Sequence, residues 1–143
     1  PTRDGFQTHE MLAGAQTACV LALNKTLKMA LDGYLSKQLS FPIPLEPDPE
    51  SISGWAVILK QGGYQKRHIH PEAKISGVLY LCVDKITSSD DSHDGNLMFS
   101  TPSPLKITPK AGRVVLFPSF LPHETIPQTS ISEERICIAF NFS

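Results

Sequence analysis

Three of the five histidines in this chain could act together. His68 and His70 stand two apart in the stretch Gly62-Gly-Tyr-Gln-Lys-Arg-His-Ile-His-Pro71. In an extended segment successive side chains alternate faces, so both imidazoles project to one side. Neutral imidazole is the commonest biological metal ligand, and two of them on a rigid strand make half of a metal site. His123, much further along the chain, offers a third; three imidazoles suit iron or zinc, among other metals. Two surface histidines would produce the same His-x-His pair, so the distal histidine carries the reading. His9, near the start of a helical pattern, and His93, in an acidic serine-rich loop, read as solvated.

The last apolar stretch, Arg135-Ile-Cys-Ile-Ala-Phe-Asn-Phe142, adds a fourth element. Its even positions (Ile136, Ile138, Phe140, Phe142) are large and apolar, and its odd positions (Arg135, Cys137, Ala139, Asn141) are small or polar. The even face is expected to pack on a helical layer and the odd face to look into the interior between sheets. An arginine at the mouth of that interior needs an anion, and guanidinium holds a carboxylate in a two-point fork. A surface salt bridge with Glu133 or Glu134 is the plainer alternative.

These residues need a scaffold, and the periodicity supplies one. From about Thr8 to Leu39 apolar residues recur at steps of three and four, which predicts one long helix or two consecutive ones. Residues 1 to 7 read as a flexible lead-in. Phe41 to Pro49 carries four prolines and reads as a connector between a helical front and an all-β remainder. Beyond it the pattern changes. Strands are expected at Trp55 to Leu59, through the histidine pair after a Gly62-Gly63 turn, and from Gly77 to Val83. Others follow at Leu97 to Phe99, Leu105 to Thr108, Arg113 to Phe117, His123 to Ile126 and Arg135 to Phe142. The polar stretch 84 to 96 reads as an exposed loop. About eight short strands with close-set turn signals predict a sandwich or barrel, and a jelly roll has that strand count.

The 143 residues fit a single domain, residues 1–143, with a helical layer to residue 40, the connector over 41–53 and the β core over 54–143. With 41% hydrophobic and 19% charged residues the composition is that of a globular protein. A formal charge of −1 gives no electrostatic ground for nucleic acid or anionic lipid as a partner. No apolar run approaches the roughly 20 residues that span a bilayer, and no signal-peptide pattern is visible. Cys19, Cys82 and Cys137 are too few and too scattered for a disulfide framework, which predicts a reducing, cytoplasmic setting. The chain begins at Pro1 without an initiator methionine, as expected of a processed chain or a piece of a longer one.

Taken in order, Trp55, Gly63-Tyr64, His68-Ile-His70-Pro71, Ser76-Gly-Val-Leu-Tyr80-Leu and Gly95-Asn-Leu-Met-Phe99 form a series of spaced motifs. Gly112-Arg-Val-Val-Leu-Phe-Pro118, His123 and Arg135-Ile-Cys-Ile-Ala-Phe-Asn141 continue it. The series resembles the 2-oxoglutarate and iron(II)-dependent oxygenase family over roughly residues 54 to 142. The resemblance implies a mainly β fold, a double-stranded β-helix of the jelly-roll, cupin-like kind, packed against one or two helices. It implies Fe(II) and 2-oxoglutarate as cofactor and cosubstrate, and a dioxygenase that hydroxylates a substrate with release of succinate and carbon dioxide. His68 and His123 would be iron ligands. His70 stands where the family usually has a carboxylate, and three neutral ligands would leave the metal a full charge higher. His70 is then the third ligand, or Glu72 swings in, or the site binds iron poorly. Arg135 would hold the far carboxylate of 2-oxoglutarate. Tyr80 resembles the strand tyrosine beside the cosubstrate, and on period-two counting it shares a face with Val78 and Cys82. Cys137 stands where some relatives carry a hydroxyl.

Two other readings stay open. A cupin-like metal enzyme shares the architecture, and Gly62 with His68-Ile-His70 matches the start of the cupin pattern. The glutamate expected next is replaced by Lys74 and Ile75, and a cupin has no need of Arg135. A non-catalytic β-helix binding module is the other. The substrate, a small molecule or a protein or peptide, has no marker in the sequence; the 84–96 loop and the 41–49 connector are candidate cleft walls.

Overall fold

The computed structural model describes residues 2–37, 45–84, 95–129 and 134–143. In chain order the elements are β1 (Thr2–Gln7), α1 (Ala18–Leu35), β2 (Ile52–Gln65), β3 (Ile75–Cys82) and β4 (Leu97–Phe99). They continue with β5 (Leu105–Ile107), β6 (Val114–Pro118), β7 (His123–Thr125) and β8 (Arg135–Phe142). All pairings are antiparallel. A five-stranded sheet runs β1-β2-β8-β3-β6 and a three-stranded sheet runs β5-β4-β7.

The alternation in β8 explains how the layers stack. Ile138, Phe140 and Phe142 point to the helix side and form one buried cluster with Leu27 and Leu31 of α1, Ile52 of β2 and Ile75 of β3. A buried large apolar side chain contributes roughly 1.5–3 kcal/mol, so this cluster is what fastens the helix to the sheet. On the other face, Val57, Tyr80 and Cys137 form a second cluster with Leu59. The small sheet closes over that side: Leu97 and Phe99 of β4 meet Phe117 of β6. The result is the double-stranded β-helix, mainly β with one helical layer.

Three expectations need correction. Residues 2–7 are an edge strand, not a lead-in: Gln7 pairs with Val57, Phe6 with Ile58 and Gly5 with Leu59. Main-chain bonding holds β1 while most of its side chains face solvent, so its sequence carries no apolar alternation. The helix is shorter than the apolar period suggests, and it is single. Before Ala18 the Glu10 carboxylate accepts the amides of Leu12 and Ala13, at 2.6 and 2.8 Å, and of Gly54, at 2.7 Å. This local capture replaces helical bonding, although Leu12 still reaches the core.

The third correction concerns Gly62-Gly63, which does not turn the chain. β2 runs through it, and the register jumps from Gly5↔Leu59 to Arg3↔Tyr64, so the glycines form a bulge. Gly62 has φ 79°, and a Cβ on Gly63 would stand 2.6 Å from the Asp4 carbonyl. Smaller differences follow the same logic: β3 begins earlier than expected, at Ile75, and β6 includes Pro118. Residues 85–94 of the expected loop at 84–96, and residues 41–44 of the connector at 41–49, lie outside the described residues.

Candidate metal and dicarboxylate site

His123 begins β7, paired with Phe99 of β4, and on its other side it meets His68 in an isolated antiparallel bridge. The two residues exchange both main-chain hydrogen bonds, each 3.0 Å. Residues opposed in this way carry their side chains on the same face, so the bridge itself puts the two imidazoles side by side. The expected histidine strand is therefore only a bridge at His68 followed by a turn at 71–72. Pro71 has no amide to extend the ladder. The segment is still pinned: the His70 N–H donates to Ser119 O (3.0 Å), and the Ser119 N–H to Lys74 O (3.0 Å). Held in this way, His70 faces the same side as His68.

The three rings converge. Centroid separations are 4.4 Å for His68–His123, 4.9 Å for His68–His70 and 5.2 Å for His70–His123. One nitrogen from each lies within 4.8 Å of the others, which is metal-site spacing. The tautomers are set by carbonyls. Nδ1–H of His68 donates to Lys66 O at 2.6 Å, and Nδ1–H of His123 to Leu121 O at 2.9 Å. Since a carbonyl can only accept, each ring in its neutral form carries its proton on Nδ1 and presents Nε2 as a lone pair, the form in which imidazole binds a metal. Phe117 packs edge-on against His123 with centroids 4.7 Å apart, and Trp55 lies 6.2 Å from His70. Burial, helped by the neighbouring imidazoles, pushes the pKa values of His70 and His123 down to about 4. Both are neutral at pH 7, ready to donate a lone pair. Glu72 is exposed and outside this group, lining a neighbouring cleft. His9 is exposed, and His93 falls outside the described residues.

The histidines line a cavity of about 340 Å³ that also takes in Trp55, Tyr80, Arg135 and Cys137. Arg135 is only 3% exposed. Its Nη1–H donates to Gly95 O at 2.5 Å, and its buried Nε has no partner among the described residues. Glu134 is exposed, and the surface salt bridge weighed from sequence is not formed with it; Glu133 lies outside the described residues. Arg135 lies 5.8 Å from the centre of the Tyr80 ring. Tyr80, 2% exposed, pairs with Cys137 across the β3–β8 ladder. Burial raises the Tyr80 phenol above its ordinary pKa, against the pull of Arg135, and raises the Cys137 thiol likewise. Both are neutral. The cavity thus joins three bare imidazole nitrogens to one buried, incompletely paired cation in an otherwise mostly apolar wall.

Every sequence-selected site residue except Glu72 falls on this cavity. Thr125, Gln7 and Gln65 also line it and were missed. Thr125 was within reach, since it follows His123 by two in a strand. Gln7 had no signal because β1 itself had none.

A family model described as Putative 2OG-Fe(II) oxygenase matches residues 53–141. Among solved structures, a Pseudomonas putida prolyl-4-hydroxylase aligns with TM-score 0.63 and 20% identity, over 96% of this chain and 72% of that one. A Trichoplax adhaerens prolyl hydroxylase, in complex with a hypoxia inducible factor oxygen degradation domain peptide fragment, aligns with TM-score 0.67 and 20% identity. That alignment covers 98% of this chain and 63% of the other. A prolyl 4-hydroxylase from Phytophthora capsici gives TM-score 0.62 and 20% identity over 96% and 47% of the two chains. At this identity the likeness is one of fold. A comparison with curated proteins gives no match.

Proposed function

Because the chain belongs to the 2OG-Fe(II) oxygenase family, we propose that it hydroxylates a substrate C–H bond while converting 2-oxoglutarate to succinate and carbon dioxide. One atom of dioxygen goes to the new hydroxyl and the other to succinate, so atoms and electrons balance. The observation that carries this reading is the shared cavity: three imidazole nitrogens within 4.8 Å of one another, and a buried guanidinium lining the same space.

The residues fit the groups the family uses. His68, His70 and His123 would hold iron through their bare nitrogens, His70 taking the place of a carboxylate ligand. When bound, iron supplies the oxygen activation and 2-oxoglutarate the reducing electrons. The rest is the work of the chain. The carbonyls of Lys66 and Leu121 keep two rings in the ligating tautomer. Three neutral ligands leave both metal charges uncancelled, which favours an anionic cosubstrate. Arg135 would take its distal carboxylate, with the Tyr80 ring alongside. Val78, Leu97, Phe117 and Ala139 keep the walls apolar and limit water.

A protein or peptide side chain is the substrate class to test first, since the solved neighbours are named as prolyl hydroxylases and one was solved with a peptide. Small molecules form the second arm. The test is to reload the protein with Fe(II) under nitrogen, admit air with 2-oxoglutarate and proline-containing peptides, and measure succinate and the mass of the product. Stoichiometric succinate with one oxygen atom added to the substrate is the expected result. Turnover that persists in Arg135→Ala would favour a cupin-like enzyme independent of 2-oxoglutarate.

A further inference from the structure

The cleft beside His70 has no part in the chemistry described so far. It measures about 220 Å³, and Ile69 and His70 line both it and the histidine cavity, so the two spaces adjoin at a metal ligand. The part of the sheet that faces it is polar. Asn141 of β8 stands between Ser53 of β2 and Ser76 of β3, its partners in the two ladders, and residues paired in this way share a face. The same face of β8 carries Arg135, six residues earlier and about 20 Å away along an extended strand. A small diacid held on Arg135 therefore leaves the Asn141 end open for a substrate.

Asn141 is held in one orientation. The buried Ser76 Oγ–H donates to Asn141 Oδ1 at 2.7 Å, the length of an O–H···O bond rather than an N–H···O one. That bond uses the one hydroxyl hydrogen of Ser76, so the Ser119 Oγ–H donates to Ser76 Oγ across 2.9 Å. Ser119 is fully buried, and its carbonyl also holds the His70 N–H. One residue thus fixes both the metal ligand and, through Ser76, the carboxamide. With Oδ1 turned to Ser76, Nδ2 is left without a partner among the described residues, on a half-buried side chain that lines the cleft. The Ser53 hydroxyl and the Glu72 carboxylate line the same cleft and supply acceptors. A donor beside acceptors is the complement of a peptide group, with its C=O and its N–H.

We propose that Asn141 is a specificity-determining residue: its carboxamide N–H takes a main-chain carbonyl of a peptide substrate whose reacting carbon lies at the three histidines. The proposal rests on the oxygenase reading and adds to it where the chain of the substrate runs, past Ile69 and into the cleft. Asn141 lines that cleft and not the cavity that holds Arg135, so its loss should touch the peptide and spare the cosubstrate.

The test reads Asn141 directly. The protein is loaded with Zn(II) as an inert substitute for iron, saturated with 2-oxoglutarate, and titrated with blocked tripeptides, acetyl-Gly-Xaa-Gly-amide, with proline among the central residues. The side-chain amide signal of Asn141 is followed by nitrogen-edited NMR. At least one peptide is expected to move it. Asn141→Asp keeps an acceptor for Ser76 but loses the donor, and is expected to weaken that peptide about tenfold. Ser76→Ala frees the carboxamide to turn, and is expected to weaken it about threefold. Affinity for 2-oxoglutarate should stay within about twofold of wild type in both variants. The wild-type signal decides the matter even where a variant fails to fold. A peptide that binds without moving that signal, or that binds Asn141→Asp as tightly as wild type, would overturn the proposal and leave the oxygenase reading intact. So would a wild type that takes up metal and 2-oxoglutarate but none of the peptides. A wild type that binds metal but not 2-oxoglutarate would overturn both.

Discussion

One face of β8 sets Ile138, Phe140 and Phe142 against Leu27 and Leu31 of α1; the opposite face sets Arg135, Cys137 and Ala139 along the cavity. Neighbouring residues of a single strand thus obey different rules. On the helix side large apolar side chains fill the space, and Phe140 even occupies the volume a Cβ on Gly77 would need. On the cavity side a guanidinium nitrogen has no partner among the described residues and a thiol is buried. Polar groups left in that state lower stability and persist where a site uses them. The contrast separates the residues that keep the fold from those that make it a site.

Mutations can break that contrast. Phe140→Ala opens a cavity on the helix side and should lower unfolding free energy by about 3–5 kcal/mol, measured by urea denaturation. Iron uptake by the fraction still folded should persist. Arg135→Met does the reverse: it should weaken 2-oxoglutarate binding by about 2–5 kcal/mol while stability holds or rises, because a buried cation is removed. A parallel loss of stability in that variant would mean that Arg135 is a structural residue. Cys137→Ala, on the same face but without charge, should change stability by about 1 kcal/mol and leave 2-oxoglutarate affinity within about a factor of two, read by calorimetry.

The histidines give a pH-dependent version of the same test. His70 and His123 have folded pKa values near 4, below the ordinary 6.5. Below pH 6.5 the unfolded chain takes up protons that the metal-free folded chain refuses, so the stability tied to these neutral rings is present above pH 6.5. It is lost as pH falls toward 4. The urea midpoint of the metal-free protein should therefore drop between pH 7 and pH 4.5, and drop less in the His70→Gln, His123→Gln double variant. An equal drop in both proteins would contradict the burial of these rings as neutral groups.

How much was legible follows from which interactions are local. The alternation of β8 announced both of its faces, because one is apolar and the other small or polar. The His68–His70 pair was legible as sharing a side. That it forms a bridge rather than a strand was not, since this depends on Ser119 and His123 arriving from another part of the chain. β1 was illegible because its side chains are mostly exposed and its stability lies in main-chain bonds to β2. The helix was overextended upstream because Leu12 belongs to the core while the Glu10 carboxylate, not a helical turn, caps the backbone there.

The central claim is that one cavity holds iron on His68, His70 and His123 and 2-oxoglutarate on Arg135. The most direct test reloads the protein with Fe(II) under nitrogen, counts the bound metal after dialysis, and records the melting temperature with and without 2-oxoglutarate. One iron per chain is predicted, together with a rise in melting temperature on adding 2-oxoglutarate that requires iron and disappears in Arg135→Met. No stoichiometric iron, or a 2-oxoglutarate effect that survives the loss of Arg135, would contradict it.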